Sequence, residues 1–290
     1  MPQDLPAATG PIGLDHSGHF AADADAARAE LEALGFTVTP FSAQVQPDPV
    51  SGAQALTGTG NICVMLPEGY LEFLVHTADT PLGLEFLAAL ERRAGLHLAA
   101  FAVPDAAAHH AHLDALGAPM RPLVHFKREV ATQSGHETAA FTVARLAAGT
   151  MPEGRVQFLT HHNAPALWQP RWMRHANGAA SLEAILVSAP DPEETAARFV
   201  RCLGRAAEPF GAGLRIALDR GALDILPEAA ATALVGSAVE LGRSVFVGLR
   251  IAMRDPAALA DRPGARWVDG ALTLPFGPAL GAGVWIFEPT

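Results

Sequence analysis

Asp23-Ala24-Asp25-Ala26-Ala27-Arg28-Ala29-Glu30-Leu31-Glu32-Ala33-Leu34-Gly35 and Asp105-Ala106-Ala107-Ala108-His109-His110-Ala111-His112-Leu113-Asp114-Ala115-Leu116-Gly117 align without a gap, Asp105 over Asp23 and Gly117 over Gly35. In each, an apolar stretch runs into an Asp suited to cap a helix, and the helix ends on Leu-x-Ala-Leu-Gly. Two further stretches repeat the pattern more loosely. Asp191 follows the apolar run 182–188 and opens a helix ending at Leu203-Gly204, and Asp255-Pro256 follows 245–253. Four copies of one unit are therefore expected.

Around the first copy, residues 12–20 predict a strand before the helix. Strands at 36–41, 57–66 and 70–75 follow it, the last after the turn Pro67-Glu68-Gly69. A Pro/Gly/Gln-rich stretch, 43–54, reads as a loop able to fold over an open face. A helix over 81–94 leads to the second copy, with strands at 96–103, 122–130, 138–147 and 155–160. Arg155-Val156-Gln157-Phe158-Leu159-Thr160-His161 lies over Tyr70-Leu71-Glu72-Phe73-Leu74-Val75-His76, at a slightly longer offset than that between the helices. The order β-α-β-β-β thus occurs twice. Shorter strands at 214–218, 222–226 and 284–287 mark the later copies, and the stretch 229–240 has no clear pattern.

Half of the 290 residues are hydrophobic and 17% are charged, enough to bury large cores. The net charge of −10 and the lack of a basic run argue against nucleic-acid or anionic-membrane partners. Cys63 and Cys202 read as buried thiols, neither paired nor zinc-binding. Met1-Pro2-Gln3-Asp4-Leu5 shows no secretory pattern, and every apolar run is broken before the roughly 20 residues that cross a bilayer. A cytoplasmic protein is expected. Nucleotide-binding glycine loops and a Gly-x-Ser-x-Gly elbow are missing, which disfavours nucleotide-dependent and serine-hydrolase chemistry.

Paired β-α-β-β-β units, with Leu14-Asp15-His16 on the first strand and Tyr70-Leu71-Glu72-Phe73 on the last, resemble the vicinal oxygen chelate superfamily. The resemblance is to its glyoxalase-like branch, whose members carry a segment similar to His161-His162-Asn163-Ala164-Pro165-Ala166-Leu167-Trp168-Gln169-Pro170 followed by His175-Ala176-Asn177-Gly178-Ala179. It implies an α+β fold of four βαβββ modules paired into two domains with curved mixed sheets, at 1–165 and 181–290, joined by a connector at 166–180. It also implies a cup in which first and last strands supply ligands to a divalent metal (Zn, Ni, Mn or Fe) that binds adjacent substrate oxygens.

Carried over by position, His16 and Glu72 are metal ligands, while the second unit offers Leu98 and Gln157 where further ligands belong. Residues four apart on a strand share a face, so His76 joins Glu72 and His161 joins Gln157. His16, Glu72 and His161 then form a two-His-one-carboxylate set; the alternative is local hydrogen bonding by His16 and ion pairing by Glu72. His19 points away from His16 and reads as a packing or surface histidine. His109, His110 and His112 read as an exposed polar helix face.

His125, Lys127 and Glu129 share one face of their strand. On a concave face, His125 is a general acid/base and Lys127 an anion clamp for a substrate carboxylate; on the outer face they are solvated. The connector residues Trp168, Arg171, Trp172, His175 and Asn177 read first as domain packing, with Trp168 and His175 as substrate contacts if the segment walls a pocket. Asp224 and Glu288 face first-strand positions without ligands, near Ala184 and Gly248, so the second pair reads as structural. Two functions follow: a metal-dependent lyase, isomerase or dioxygenase acting on a small oxygenated metabolite, or a metal-free protein sequestering small molecules. Either is compatible with a monomer or a homodimer.

Overall fold

The computed structural model describes residues 10–47, 53–133, 135–237 and 239–290. Its first half runs β1 (Gly13–Phe20), α1 (Ala24–Ala33), β2 (Ser42–Pro47), β3 (Gln54–Met65), β4 (Tyr70–His76), α2 (Pro81–Arg92), β5 (Gly95–Ala102), α3 (Ala106–Ala115), β6 (Val124–Thr132), β7 (Gly135–Arg145) and β8 (Arg155–His161). A short α4 (Ala164–Leu167) follows. The second half runs β9 (Ala179–Ala189), α5 (Pro192–Leu203), β10 (Ala207–Phe210), β11 (Gly213–Ala217), β12 (Ala222–Pro227), α6 (Glu228–Val235), β13 (Val245–Met253), β14 (Arg266–Val268), β15 (Ala271–Pro275) and β16 (Val284–Pro289).

The repeated Asp residues do what the sequence implies. The Asp23 and Asp105 carboxylates each accept from two backbone amides of the first helical turn, and Asp191 accepts from Glu194 N–H. Gly35 and Gly117 end their helices at φ of +84° and +79°, where a Cβ is strained. Asp255 opens only a 3₁₀ turn and makes no side-chain cap.

Each half forms one eight-stranded mixed sheet, ordered β2-β3-β4-β1-β5-β8-β7-β6 and β10-β11-β12-β9-β13-β16-β15-β14. The first and last long strands of each unit pair in parallel, and two units join where β1 meets β5, or β9 meets β13, antiparallel. The α+β architecture of four tandem βαβββ modules is thus observed. The register also matches the two sequence offsets: Glu72 lies opposite Gly18 and Gln157 opposite Ala100, so the last strands of the two units superpose at the longer offset and the first strands at the shorter.

Two segments differ from expectation. Residues 36–41 are extended but not a strand; Thr39 N–H bonds to Cys63 O at 2.9 Å, and Pro40, lacking an N–H, interrupts the ladder. The pairing strand is instead β2, within the stretch read as a loop, of which 48–52 lie outside the described residues, as do Met1–Leu5. In the second half, α6 fills much of the unpatterned stretch.

The core is continuous between the sheets. His19 points away from His16, as expected, but is fully buried, 4.8 Å from the Phe73 ring and 4.9 Å from that of Phe276 in the second half. His109 is also buried, its ring 4.2 Å from Phe158, because the α3 face carrying it packs on β7 and β8. The connector locks the halves: Asn177 Nδ2–H donates to Leu34 O, and Asn177 N–H to Gly35 O. Both cysteines are free and buried. No helix among the described residues is long and apolar enough to cross a membrane.

Candidate functional site

The concave face of the first sheet encloses a cavity of about 520 Å³, lined by His16, Tyr70, Glu72, Gln157 and His161, with α2 along one side. Its polar centre begins at an irregularity in β1. The register with β5 shifts between Leu14 and His16, so Asp15 has no partner of its own and sits in a bulge. Adjacent strand residues ordinarily face opposite ways; here the Asp15 carboxylate reaches its neighbour's ring, with Oδ1 2.7 Å from His16 Nδ1. Its other oxygen is 3.1 Å from His161 Nε2. Burial opposes ionisation of Asp15, but the hydrogen bonds from His16 and His161 outweigh it and hold the carboxyl well below the usual carboxylate range.

An anionic Asp15 takes the His16 proton on Nδ1, leaving the Nε2 lone pair facing the cavity. That atom is 3.8 Å from Glu72 Oε2 and 3.3 Å from the Gln157 carboxamide. The other Glu72 oxygen, Oε1, accepts from Gln44 Nε2–H at 2.9 Å and Asn61 Nδ2–H at 2.5 Å. Thr59 donates to Gln44 Oε1 at 2.6 Å and so orients that amide. Tyr70 stacks on the His16 ring at 4.3 Å, and burial, with Asp15 and Glu72 nearby, pushes its phenol well up.

These residues fit a divalent cation. An imidazole lone pair and a carboxylate oxygen converge, and Gln157, turned about its last bond, offers Oε1 as a third donor. His16, Glu72 and Gln157 stand on the first strand and the two last strands, the positions the resemblance assigned. Among the described residues no three His, Cys, Asp or Glu side chains form a metal-holding group, so the set depends on the carboxamide. His161 faces the cavity but bonds Asp15 instead. Four residues along a strand span roughly 13 Å, so sharing a face with Gln157 does not bring it to the same point. His76 sits at the strand end, 3.1 Å from Asp79.

Three further candidates lie elsewhere. His125 is exposed on the face away from the cavity, its Nδ1 3.0 Å from Thr142 Oγ1, which in turn is 2.9 Å from His162 Nε2. Lys127 is exposed and is among the residues lining the cavity, as are its half-buried neighbours Phe126 and Arg128. His175 is committed to the backbone: Nδ1 accepts from Thr37 N–H at 3.0 Å and Nε2–H donates to Met65 O at 2.9 Å. Trp168 packs edge-on to His161 at 5.0 Å and Tyr70 at 5.7 Å, bracing the site from behind.

Sequence reasoning missed Asp15 as an orienting group, along with Gln44, Thr59 and Asn61. Asp15 precedes His16 in the quoted motif, but simple alternation turns it away. The other three lie on β2 and β3, whose register the sequence does not mark.

The second sheet carries the same positions with different chemistry. Its register equates Ala184 with His16, Asp224 with Glu72, Gly248 with Leu98 and Ile286 with Gln157. Asp224, 1% exposed, is spent on Arg215 at 2.6 and 2.8 Å and on Arg250 at 3.2 Å.

Residues 14–203 match the family described as glyoxalase-like domain. No curated protein matches the sequence. Among solved structures, a hypothetical protein from Staphylococcus aureus superposes with a TM-score of 0.66 at 10% identity, over 96% of this chain and all of that one. A Mn(II)-bound glyoxalase from Novosphingobium aromaticivorans gives 0.52 at 13% identity, over 95% of this chain and 81% of that one. A 4-hydroxymandelate synthase variant from Streptomyces coelicolor gives 0.51 at 13% identity, over 96% and 92%. These identities speak for the fold alone. With the family match covering most of the chain and the βαβββ pairing described above, the protein belongs to the glyoxalase-like domain family of the vicinal oxygen chelate superfamily.

Proposed function

We propose that the protein is a metal-dependent enzyme acting on a small oxygenated metabolite in the cavity of the first sheet. The observation carrying this reading is the convergence of His16 Nε2 and Glu72 Oε2 at 3.8 Å, each held from behind by hydrogen bonds to its other polar atom. His16, Glu72 and Gln157 would hold the divalent ion, which supplies Lewis-acid stabilisation of charge on adjacent substrate oxygens.

The chain's own residues supply the rest. Asp15 fixes the His16 tautomer, and Gln44 and Asn61 fix the Glu72 carboxylate, so the donors are oriented in advance. Asp15 also accepts the Nε2 proton of His161, whose buried Nδ1 has no hydrogen-bond partner among the described residues. One carboxylate therefore orients both imidazoles that line this part of the cavity, and His161 stands beside the metal-holding set as a positioned group.

The test is Mn(II) titration followed by electron paramagnetic resonance, on protein purified without chelator or affinity-tag histidines. One ion per chain is expected, with affinity reduced at least about 100-fold in Glu72→Ala. Protein that stays metal-free after loading with Zn, Ni, Mn and Fe(II) sinks the reading. The second reading, a metal-free sequestering protein, is favoured by Leu98, an apolar residue at the counterpart of His16 on the cavity wall. It predicts tight binding of apolar ligands without metal.

A further inference from the structure

Arginines collect at one part of this cavity. Arg121, Arg145 and Arg155 all line it, and the carboxylate that pairs with two of them is Glu85 of α2. Glu85 accepts from Arg121 at 2.8 and 3.0 Å and lies 4.0 Å from Arg155. Arg145 Nε is buried without a hydrogen-bond partner among the described residues. The backbone fixes the cluster: Arg121 N–H donates to Arg145 O at 2.8 Å, Arg145 lies opposite Gln157, and Arg155 lies opposite Leu98. Three guanidinium groups thus share the single Glu85 carboxylate along this wall, so cations outnumber anions there. In a chain with 20 basic and 30 acidic residues, such an excess is local.

We propose that Arg121, Arg145 and Arg155 form an anion subsite that binds a carboxylate or phosphate on the substrate, so that the substrate class is an amphipathic oxyacid. The guanidinium fork matches both groups through paired N–H donors, which ammonium does not. The subsite takes over the role that sequence reading assigned to Lys127. Arg155 is two residues from Gln157 on one strand face, so the anion sits about 7 Å from the proposed metal-holding centre. Leu98 lies between Glu72 and Arg155 in the sheet, and Val143, Leu159, Phe126 and Phe141 continue its apolar cluster past Gln157 on the side away from Arg155, a surface suited to an aromatic ring or short alkyl group. The substrate then carries its anion close to its reacting oxygens, with its apolar part extending past Gln157 on the side away from the arginines.

This inference rests on the proposed location of the active cavity but not on the metal, and the experiment separates the two. Isothermal titration compares 4-phenylbutanoate, its uncharged isostere 4-phenylbutanamide and 3-phenylpropyl phosphate on the full chain. An anion should bind at least about tenfold more tightly than the amide, with the tighter anion identifying the group. Arg145→Met and Arg155→Met should remove that preference while leaving amide affinity unchanged. Arg145→Lys, which keeps the charge but not the fork, should reduce it and serves where a Met variant does not fold. Glu72→Gln should lose Mn(II) affinity but keep the anion preference. Equal binding of acid and amide, no binding of either anion, or an unchanged preference in the folded Arg145 variants overturns the subsite. Failure of Mn(II) to bind the wild type overturns the metal reading alone.

Discussion

Replacing His19 with Phe should remove one defined share of the protein's acid sensitivity. The His19 side chain is fully buried against Phe73, Phe276 and Trp285, and neither ring nitrogen has a hydrogen-bond partner among the described residues. Burial, helped by Arg93 and His97, lowers its pKa to about 3. In the unfolded chain a histidine titrates near 6.5. Between these values the unfolded state binds a proton that the folded state refuses, so the stabilisation is fully present above about 6.5 and is lost as pH falls towards 3. Each unit below the unfolded value costs about 1.4 kcal/mol, so His19 alone accounts for roughly 2 kcal/mol of lost stability at pH 5. Urea unfolding followed by far-UV circular dichroism at pH 7 and pH 5 measures the difference. Packing changes from the larger ring enter at both pH values and cancel. The drop should be about 2 kcal/mol smaller in His19→Phe than in the wild type; equal drops refute the argument.

Three other outcomes are expected. Leu98→His places an imidazole at the counterpart of His16 and should tighten Mn(II) binding by about tenfold or more in the resonance titration; weaker binding counts against the metal-holding geometry. Asp224→Ala removes the buried partner of Arg215 and leaves Arg250 only Glu288, and should cost about 1–3 kcal/mol in urea unfolding, with Mn(II) affinity unchanged. His125→Ala, on the outer face, should stay within about 0.5 kcal/mol of wild-type stability and leave ligand affinities intact; a large affinity loss would return His125 to the cavity.

The repeat, and hence the fold, is legible in the chain read residue by residue. Asp caps and Gly ends are local interactions, written where they act, and the two offsets between the units reappear as the pairings of Gly18 with Glu72 and Ala100 with Gln157. That logic also put His16 and Glu72 on neighbouring strands with Gln157 at the position matching Glu72, although the set it chose took His161 as the third ligand, and it left the second pair without a matching set. The faces and the partners, by contrast, emerge only in three dimensions. A strand's period of two sorts its residues into two sets without saying which is concave, and on β6 the half-buried Phe126 and Arg128 line the cavity while His125 is exposed off it. One bulge overrode the alternation and brought Asp15 to both His16 and His161. Gln44, Asn61 and the arginines that share Glu85 meet only through pairing between distant strands and packing of α2, and pairwise distances of that kind are not encoded in local spacing.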